Sequence, residues 1–198
     1  MEFREIFGTH KRNADRLLIL ACSQRKKIYQ DRMRAIDRYD GPTFGVLRKY
    51  LRERGDDSLT VWILSAKFGL IAADREIPWY DLRLTRALAD SLRPSVLEIA
   101  ANVLPSTSWR SIGLCLGKEY LRALDGFADL VPEGVRIDRI AGGQGRRLAA
   151  LRDWLRQSGW EGRVSSHGDD RERDSDQASR SAAARQAEGD SSCGSSRA

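Results

Sequence analysis

Three short, unbroken apolar runs constrain the fold more than any other feature of the sequence. Leu17 to Ala21 reads LLILA, Thr60 to Ser65 reads TVWILS and Ser111 to Leu116 reads SIGLCL. Runs of this length without polar alternation suit strands covered on both faces, as in a parallel sheet. Gly134 to Ile140 (GVRIDRI) is a weaker fourth. Helical patterns fill the intervals. Thr43 to Arg54 sets Phe44, Leu47 and Leu51 on one face, with Thr43 as the expected N-cap and Gly55 as the stop. Leu84 to Val103 is apolar-periodic but carries Pro94, so two helices or a kinked one are expected. Gly117 to Leu124 reads as a short helix, and Gly145 to Gln157 as a final one with Leu148, Leu151 and Leu155 in a stripe. Strands alternating with helices predict an α/β fold. The expected architecture is three-layer: a mainly parallel sheet of about four or five strands with helices on both faces.

The alternation stops near residue 160. After Val164 the chain has no aliphatic side chain larger than Ala and no Phe, Tyr or Trp. Such a segment cannot bury enough apolar surface to offset roughly 1–2 kcal/mol of backbone entropy per residue. The expected organisation is one α/β domain over residues 1–160 and a disordered polar tail over 161–198. The tail carries six Arg against eight Asp or Glu, a net of −2, so the +6 of the whole chain leaves about +8 on residues 1–160. A domain that basic favours polyanionic partners such as nucleic acid, nucleotides or phosphate esters.

The remaining chemistry is sparse. Cys22, Cys115 and Cys193 form no disulfide framework, and no CxxC or Cys/His cluster points to a metal. His10 and His167 lie near the N-terminus and in the tail, which argues against a histidine-based triad inside the domain. Neither a metal nor a cofactor is expected. No charged n-region followed by an apolar h-region opens the sequence, and no apolar run approaches 18 residues. The expected compartment is the cytoplasm, with no membrane partner; oligomeric state is not readable.

Ligands of open parallel sheets bind outside the carboxyl ends of the strands. After the first run comes Cys22-Ser23-Gln24-Arg25-Lys26-Lys27, placing a thiol, a hydroxyl and three cations where a thiolate or phosphate would be stabilised. A small buried cysteine followed by an ordinary basic loop is the competing reading. After the second comes Ser65-Ala66-Lys67-Phe68-Gly69, a hydroxyl and a cation two residues apart, without the SxxK spacing of serine acyl-enzymes. Pro78-Trp79-Tyr80-Asp81 then joins aromatic surface to a carboxylate, fit either to stack on a base beside a proton-handling group or to plug the core. Gly117-Lys118-Glu119-Tyr120 follows the third run, and Gly142-Gly143-Gln144-Gly145-Arg146-Arg147 the fourth. Both are turns that let an anion approach a helix N-terminus, though neither is a Walker loop or a GxGxxG fingerprint.

Several of these segments together resemble a domain family of unknown function related to the YaaA-type peroxide-stress proteins. The resemblance rests on LLILACSQRKK, on Tyr39-Asp40-Gly41-Pro42, and on ILSAKFGLI followed by IPWYDLRL, with GKEYLRAL and GGQGRRLAAL fitting the same pattern. Trp79 is an extra residue relative to a shorter Pro-Tyr-Asp. The resemblance covers roughly residues 17–157 and implies an α/β domain linked to nucleotides or nucleic acid. The expectation drawn from it is an enzyme acting on a nucleotide or modified base, a hydrolase or transferase at the N-glycosidic bond. In that scheme Asp81, Cys22 and Tyr80 are the catalytic candidates, and Ser23, Lys26, Tyr39, Ser65, Lys67, Gly117, Tyr120, Gly143 and Gln144 bind substrate. The alternative is a non-catalytic DNA-binding or oxidative-stress-response protein.

Overall fold

The structure, a computed structural model, describes residues 14–28, 31–55 and 57–157. The expected tail lies outside the described residues, as do Cys193, His10 and His167. The apolar runs form strands β1 (Arg16–Ala21), β3 (Leu59–Ser65) and β6 (Ser111–Cys115), and the weaker fourth forms β7 (Arg136–Arg139). All four pair in parallel in the order β3-β1-β6-β7. A fifth strand, β4 (Gly69–Ala72), joins the outer edge of β3 antiparallel, with Ser65 opposite Gly69. Two further strands, β2 (Met33–Arg34) and β5 (Glu76–Ile77), make a separate two-residue antiparallel pair. The sheet is therefore mixed, five-stranded and mostly parallel, as the unbroken apolar runs require.

Five helices complete the described chain: α1 (Ala35–Arg38), α2 (Pro42–Arg54), α3 (Arg86–Val103), α4 (Lys118–Ala123) and α5 (Gln144–Arg156). Helices α2 and α5 pack together, as do α3 and α4, which places one pair on each face of the sheet. Helix α2 starts two residues earlier than the expected cap implies. Gly41 rather than Thr43 is its N-cap, because Pro42 occupies the first turn, where its missing N–H costs nothing. Helix α3 is continuous through Pro94, contrary to the expected break. Proline forfeits one hydrogen bond there, but Ala89 on one side and Val96, Ala100 and Val103 on the other are buried and tie both halves to the core. Asp90, four residues before the proline, is also held by Arg122 of α4 at 2.6 Å.

The core runs along β1 and β3, where Leu17, Leu18, Ile19, Leu20, Trp62, Ile63 and Leu64 are wholly buried. On the α5 face, the Trp154 ring lies against β6 so closely that a Cβ on Gly113 would sit 2.7 Å from it. The same indole lies 4.0 Å from the guanidinium of buried Arg16 and donates to Asp138 at 2.8 Å, while Arg16 donates to the Trp154 carbonyl at 2.6 Å. No shift of a flexible tip relieves a clash with a fused ring held on three sides. Replacing Gly113 with Ala should lower stability by about 1–3 kcal/mol through overpacking, read as a fall in the denaturant midpoint; an unchanged midpoint would contradict this packing.

Candidate functional site

The topology fixes where a ligand can enter. From β1 the chain moves outward to β3, then crosses back to β6 on the other side of β1. The loops after β1 and β6 therefore leave on opposite faces, and a crevice opens between them at the carboxyl ends. Cys22 follows β1 directly, its N–H still paired to the Leu64 carbonyl at 3.0 Å. Tyr120 sits on the first turn of α4, brought there by the Gly117 turn. Across the crevice the Cys22 thiol and the Tyr120 hydroxyl lie 3.0 Å apart. This contact joins two residues 98 positions apart in sequence.

Behind Cys22 three buried hydroxyls meet. Tyr39 Oη donates to Ser65 Oγ at 3.1 Å, Tyr39 Oη and Tyr80 Oη lie 2.7 Å apart, and Ser65 Oγ and Tyr80 Oη 2.9 Å apart. Proton counting fixes the directions. Ser65 Oγ also accepts from the backbone N–H groups of Lys67 and Phe68, each at 3.2 Å, so its own proton is left for Tyr80. Tyr80 then donates to Tyr39, and the circuit Tyr39→Ser65→Tyr80→Tyr39 closes. All three hydroxyl protons are used within the circuit. The Cys22 thiol, in contact with Tyr120 on one side, also interacts with the Tyr80 hydroxyl, so it joins the circuit to the far wall of the crevice.

Local sequence explains how these groups converge. The Ser65-Ala66-Lys67-Phe68-Gly69 segment is a tight β3–β4 turn, with Gly69 at φ +66° and Ser65 serving the turn amides. The Tyr39-Asp40-Gly41-Pro42 segment has four separate tasks. Tyr39 enters the circuit; Asp40 pairs with Arg25 at 3.1 Å and Arg48 at 3.3 Å; Gly41 passes so near Ser23 that a Cβ would stand 2.7 Å from the Ser23 Cβ; Pro42 opens α2. Arg48 also donates to the carbonyls of Ile36 at 2.9 Å and Tyr39 at 2.8 Å, fixing the tyrosine backbone. Buried Arg38 binds the carbonyls of Lys27 at 2.9 Å and Ile77 at 3.3 Å, and that of Asp31. Neither arginine stood out in the sequence, where a long cation on a short helical stretch reads as solvated surface.

The candidate residues thus separate by position. Cys22, Lys26, Tyr39, Ser65, Tyr80 and Tyr120 converge on the crevice and its floor. Lys26 is buried, its Nζ 4.3 Å above the Tyr80 ring and 3.3 Å from the Gln24 carbonyl. A cation held over a ring face keeps its charge at the crevice while its stem fills the core. Lys67 is exposed, 5.6 Å from the same ring. Ser23 is half-buried and donates to the Arg25 carbonyl, shaping the loop. Tyr80 is buried and its ring is already covered by Lys26 and by the edge of Phe68, so the exposed Trp79 is the aromatic surface that remains. Asp81, one residue on, is exposed and makes no hydrogen bond or ion pair with another described residue. Gly117 and Gly143 cap α4 and α5 with open space around them, but no hydrogen bond links Gly143 or Gln144 to the hydroxyl circuit. The described residues contain no group of three or more His, Cys, Asp or Glu that could hold a metal, and no helix long and apolar enough to cross a membrane.

Burial sets the ionisation of the cluster. It pushes the Tyr39, Tyr80 and Tyr120 hydroxyls well above the ordinary 10.0, and the neighbouring Cys22 thiol pushes each further. Burial likewise pushes the Cys115 thiol up to about 11, against a smaller opposing pull from Arg147. The three phenols are neutral donors and acceptors, suited to the edge of a heterocycle.

Two outcomes follow. Ser65→Ala leaves two turn amides and the Tyr39 hydroxyl without their acceptor, which should cost about 1–3 kcal/mol in chemical unfolding; no loss would disprove the circuit. Because the folded phenols hold their protons more tightly than unfolded ones, their contribution is complete below about pH 10 and lost as pH rises beyond it. In an ultraviolet titration these three of the five tyrosines should stay un-ionised through pH 10, until the chain unfolds; ionisation of all five together near that pH would contradict their burial.

Comparison with known proteins bears on kinship more than chemistry. No curated protein matches the chain. Among solved structures, the crystal structure of AF0587, a protein of unknown function, is similar with a TM-score of 0.46 at 13% identity. The match covers 77% of this chain, which spans about half (47%) of that one. A family model, the family of unknown function DUF6884, matches residues 17–153. That segment contains strands β2 to β7, all of β1 but its first residue Arg16, and every residue of the Cys22–Tyr120 pair and the hydroxyl circuit. The chain belongs to that family.

Proposed function

We propose that the protein is an enzyme that binds a base-bearing nucleotide in the β1–β6 crevice and cleaves or transfers at its N-glycosidic bond. The observation that carries this reading is the Cys22–Tyr120 contact across the switch point, backed by a circuit that spends its own protons internally. Such a site offers neutral thiol and hydroxyl groups to a heterocycle edge. Lys26 and Lys67 at the Tyr80 ring suit phosphate, and exposed Asp81, the residue after Tyr80, supplies a carboxylate. The kinship to YaaA-type proteins belongs to this proposal and rests on the sequence motifs.

The chemistry balances with water alone. As the bond from the sugar carbon to the base nitrogen breaks, positive charge grows on the sugar, and the Asp81 carboxylate opposes it. Water adds to that carbon and passes a proton to Asp81, while a proton from the Cys22–Tyr120 pair goes to the departing nitrogen; the proton held by Asp81 then returns through solvent to the pair. Tyr39, Ser65 and Tyr80 position Cys22 and do not themselves react. Asp81→Asn should reduce release of free base from nucleosides, nucleotides or oligonucleotides by about 10²–10⁴-fold without shifting the unfolding midpoint. Full retained turnover would sink the assignment.

The basic domain supports one rival, a non-catalytic DNA-binding protein. That reading predicts affinity that falls steeply with salt, depends little on sequence and leaves every base in place.

A further inference from the structure

Among the described residues, the large hydrophobic side chains that stand exposed are Ile28 at 87%, Trp79 at 47% and Leu82 at 41%. Scattered singly over a surface they would need no explanation. They lie instead on two loops, the one after β1 and the one after β5. Arg38 laces these loops together, donating to Lys27 and Asp31 in the first and to Ile77 at the start of the second. Ile28 directly follows Lys27, and Trp79 lies two residues beyond Ile77, so one buried guanidinium fixes the backbone beside both. The Lys26 ammonium over the Tyr80 ring is a second tie. Lys27 in the first loop, Arg83 in the second and Lys67 on the β3–β4 turn are exposed and pair with no described carboxylate, while the exposed acids on the two loops are Asp31 and Asp81.

We infer that this rim grips a nucleic acid strand, so that the substrate class is a base carried in a polynucleotide and not a free nucleotide. This rests on the base-acting reading above. A free nucleotide brings one base and its own phosphates, all of which the crevice accommodates. Apolar side chains outside the crevice, interleaved with unpaired cations, match what flanking nucleotides present: base faces to stack on and a phosphate at each step. Reaching a glycosidic bond within a strand also requires the target base to leave its stack, and rigid apolar side chains at the mouth can cover the neighbours it leaves.

The test uses the full chain with a fluorescent single-stranded DNA of mixed sequence, an RNA counterpart, and nucleoside monophosphates. Wild-type protein should bind an oligonucleotide more tightly than any monophosphate. Trp79→Ala and Leu82→Ala should each weaken oligonucleotide binding by about 5- to 100-fold without changing its salt dependence, whereas Lys27→Ala should lower the slope of log affinity against log salt by about 1. These side chains are exposed, and unchanged unfolding midpoints will confirm that the variants fold. Oligonucleotide affinity within about twofold of wild type in both apolar variants would overturn the inference. So would self-association that depends on Trp79 in a protein that binds no oligonucleotide. Monophosphate binding without oligonucleotide binding would overturn the polymer while leaving the base-acting reading standing; binding of neither, with no base released, would overturn both.

Discussion

The hydroxyl of Ser65 is the point on which the site depends. It closes the turn between β3 and β4 by accepting two backbone N–H groups, and it gathers Tyr39 and Tyr80 from segments far apart in sequence. A buried hydroxyl short of partners is costly, so the three groups are stable only together. Their closure has a chemical consequence. The hydroxyl protons are shared among its members, and Cys22, which touches both Tyr80 and Tyr120, stands in front of it. One interaction thus sets both the local fold and the direction in which the crevice can offer a hydrogen bond.

Charge is distributed by the same logic. Arg38 and Arg48 spend their donors on carbonyls of the segments that carry Tyr39 and the crevice loops. Both hold geometry, and Arg38 is wholly buried while Arg48 is half-buried. Lys26 is intermediate, buried along its stem with its charge over the Tyr80 ring, whereas Lys27, next in the chain, is exposed. The net positive charge of the domain therefore divides into cations that build the site and cations that face outward from it.

Much of the sheet was legible because a strand buried on both faces must be apolar at every position, and three segments met that demand; β7, at the sheet edge, carries charged residues and gave only a weak signal. Strand β4 was not, since ILSAKFGLIA runs apolar through a hairpin whose turn has only Ala66, Lys67 and Phe68 between paired residues. The two-residue strands β2 and β5 are too short to show any period. Pro94 was read as a break because propensity speaks for an isolated helix, while burial on both sides of the proline decides the folded one. At the site, Cys22, Ser65, Tyr80 and Tyr120 were marked by their place after strands or in a short polar motif. Their grouping into a circuit and a facing pair was not, because it depends on strand order, which no local pattern encodes. The burial of Lys26 beside the exposure of Lys27 has no sequence signal at all.

The central claim is that ligand meets the Cys22–Tyr120 side of the crevice at the carboxyl ends of β1 and β6. Side-chain nuclear magnetic resonance during titration with a nucleoside monophosphate or a short oligonucleotide tests it most directly. The Tyr120 ring signals should shift together with Cys22 for either ligand, and the Trp79 indole with the oligonucleotide. The Trp154 indole, held against Gly113 and Arg16 on the α5 face, should stay fixed. Shifts centred on Trp154, or none at the crevice while ligand binds elsewhere, would contradict it.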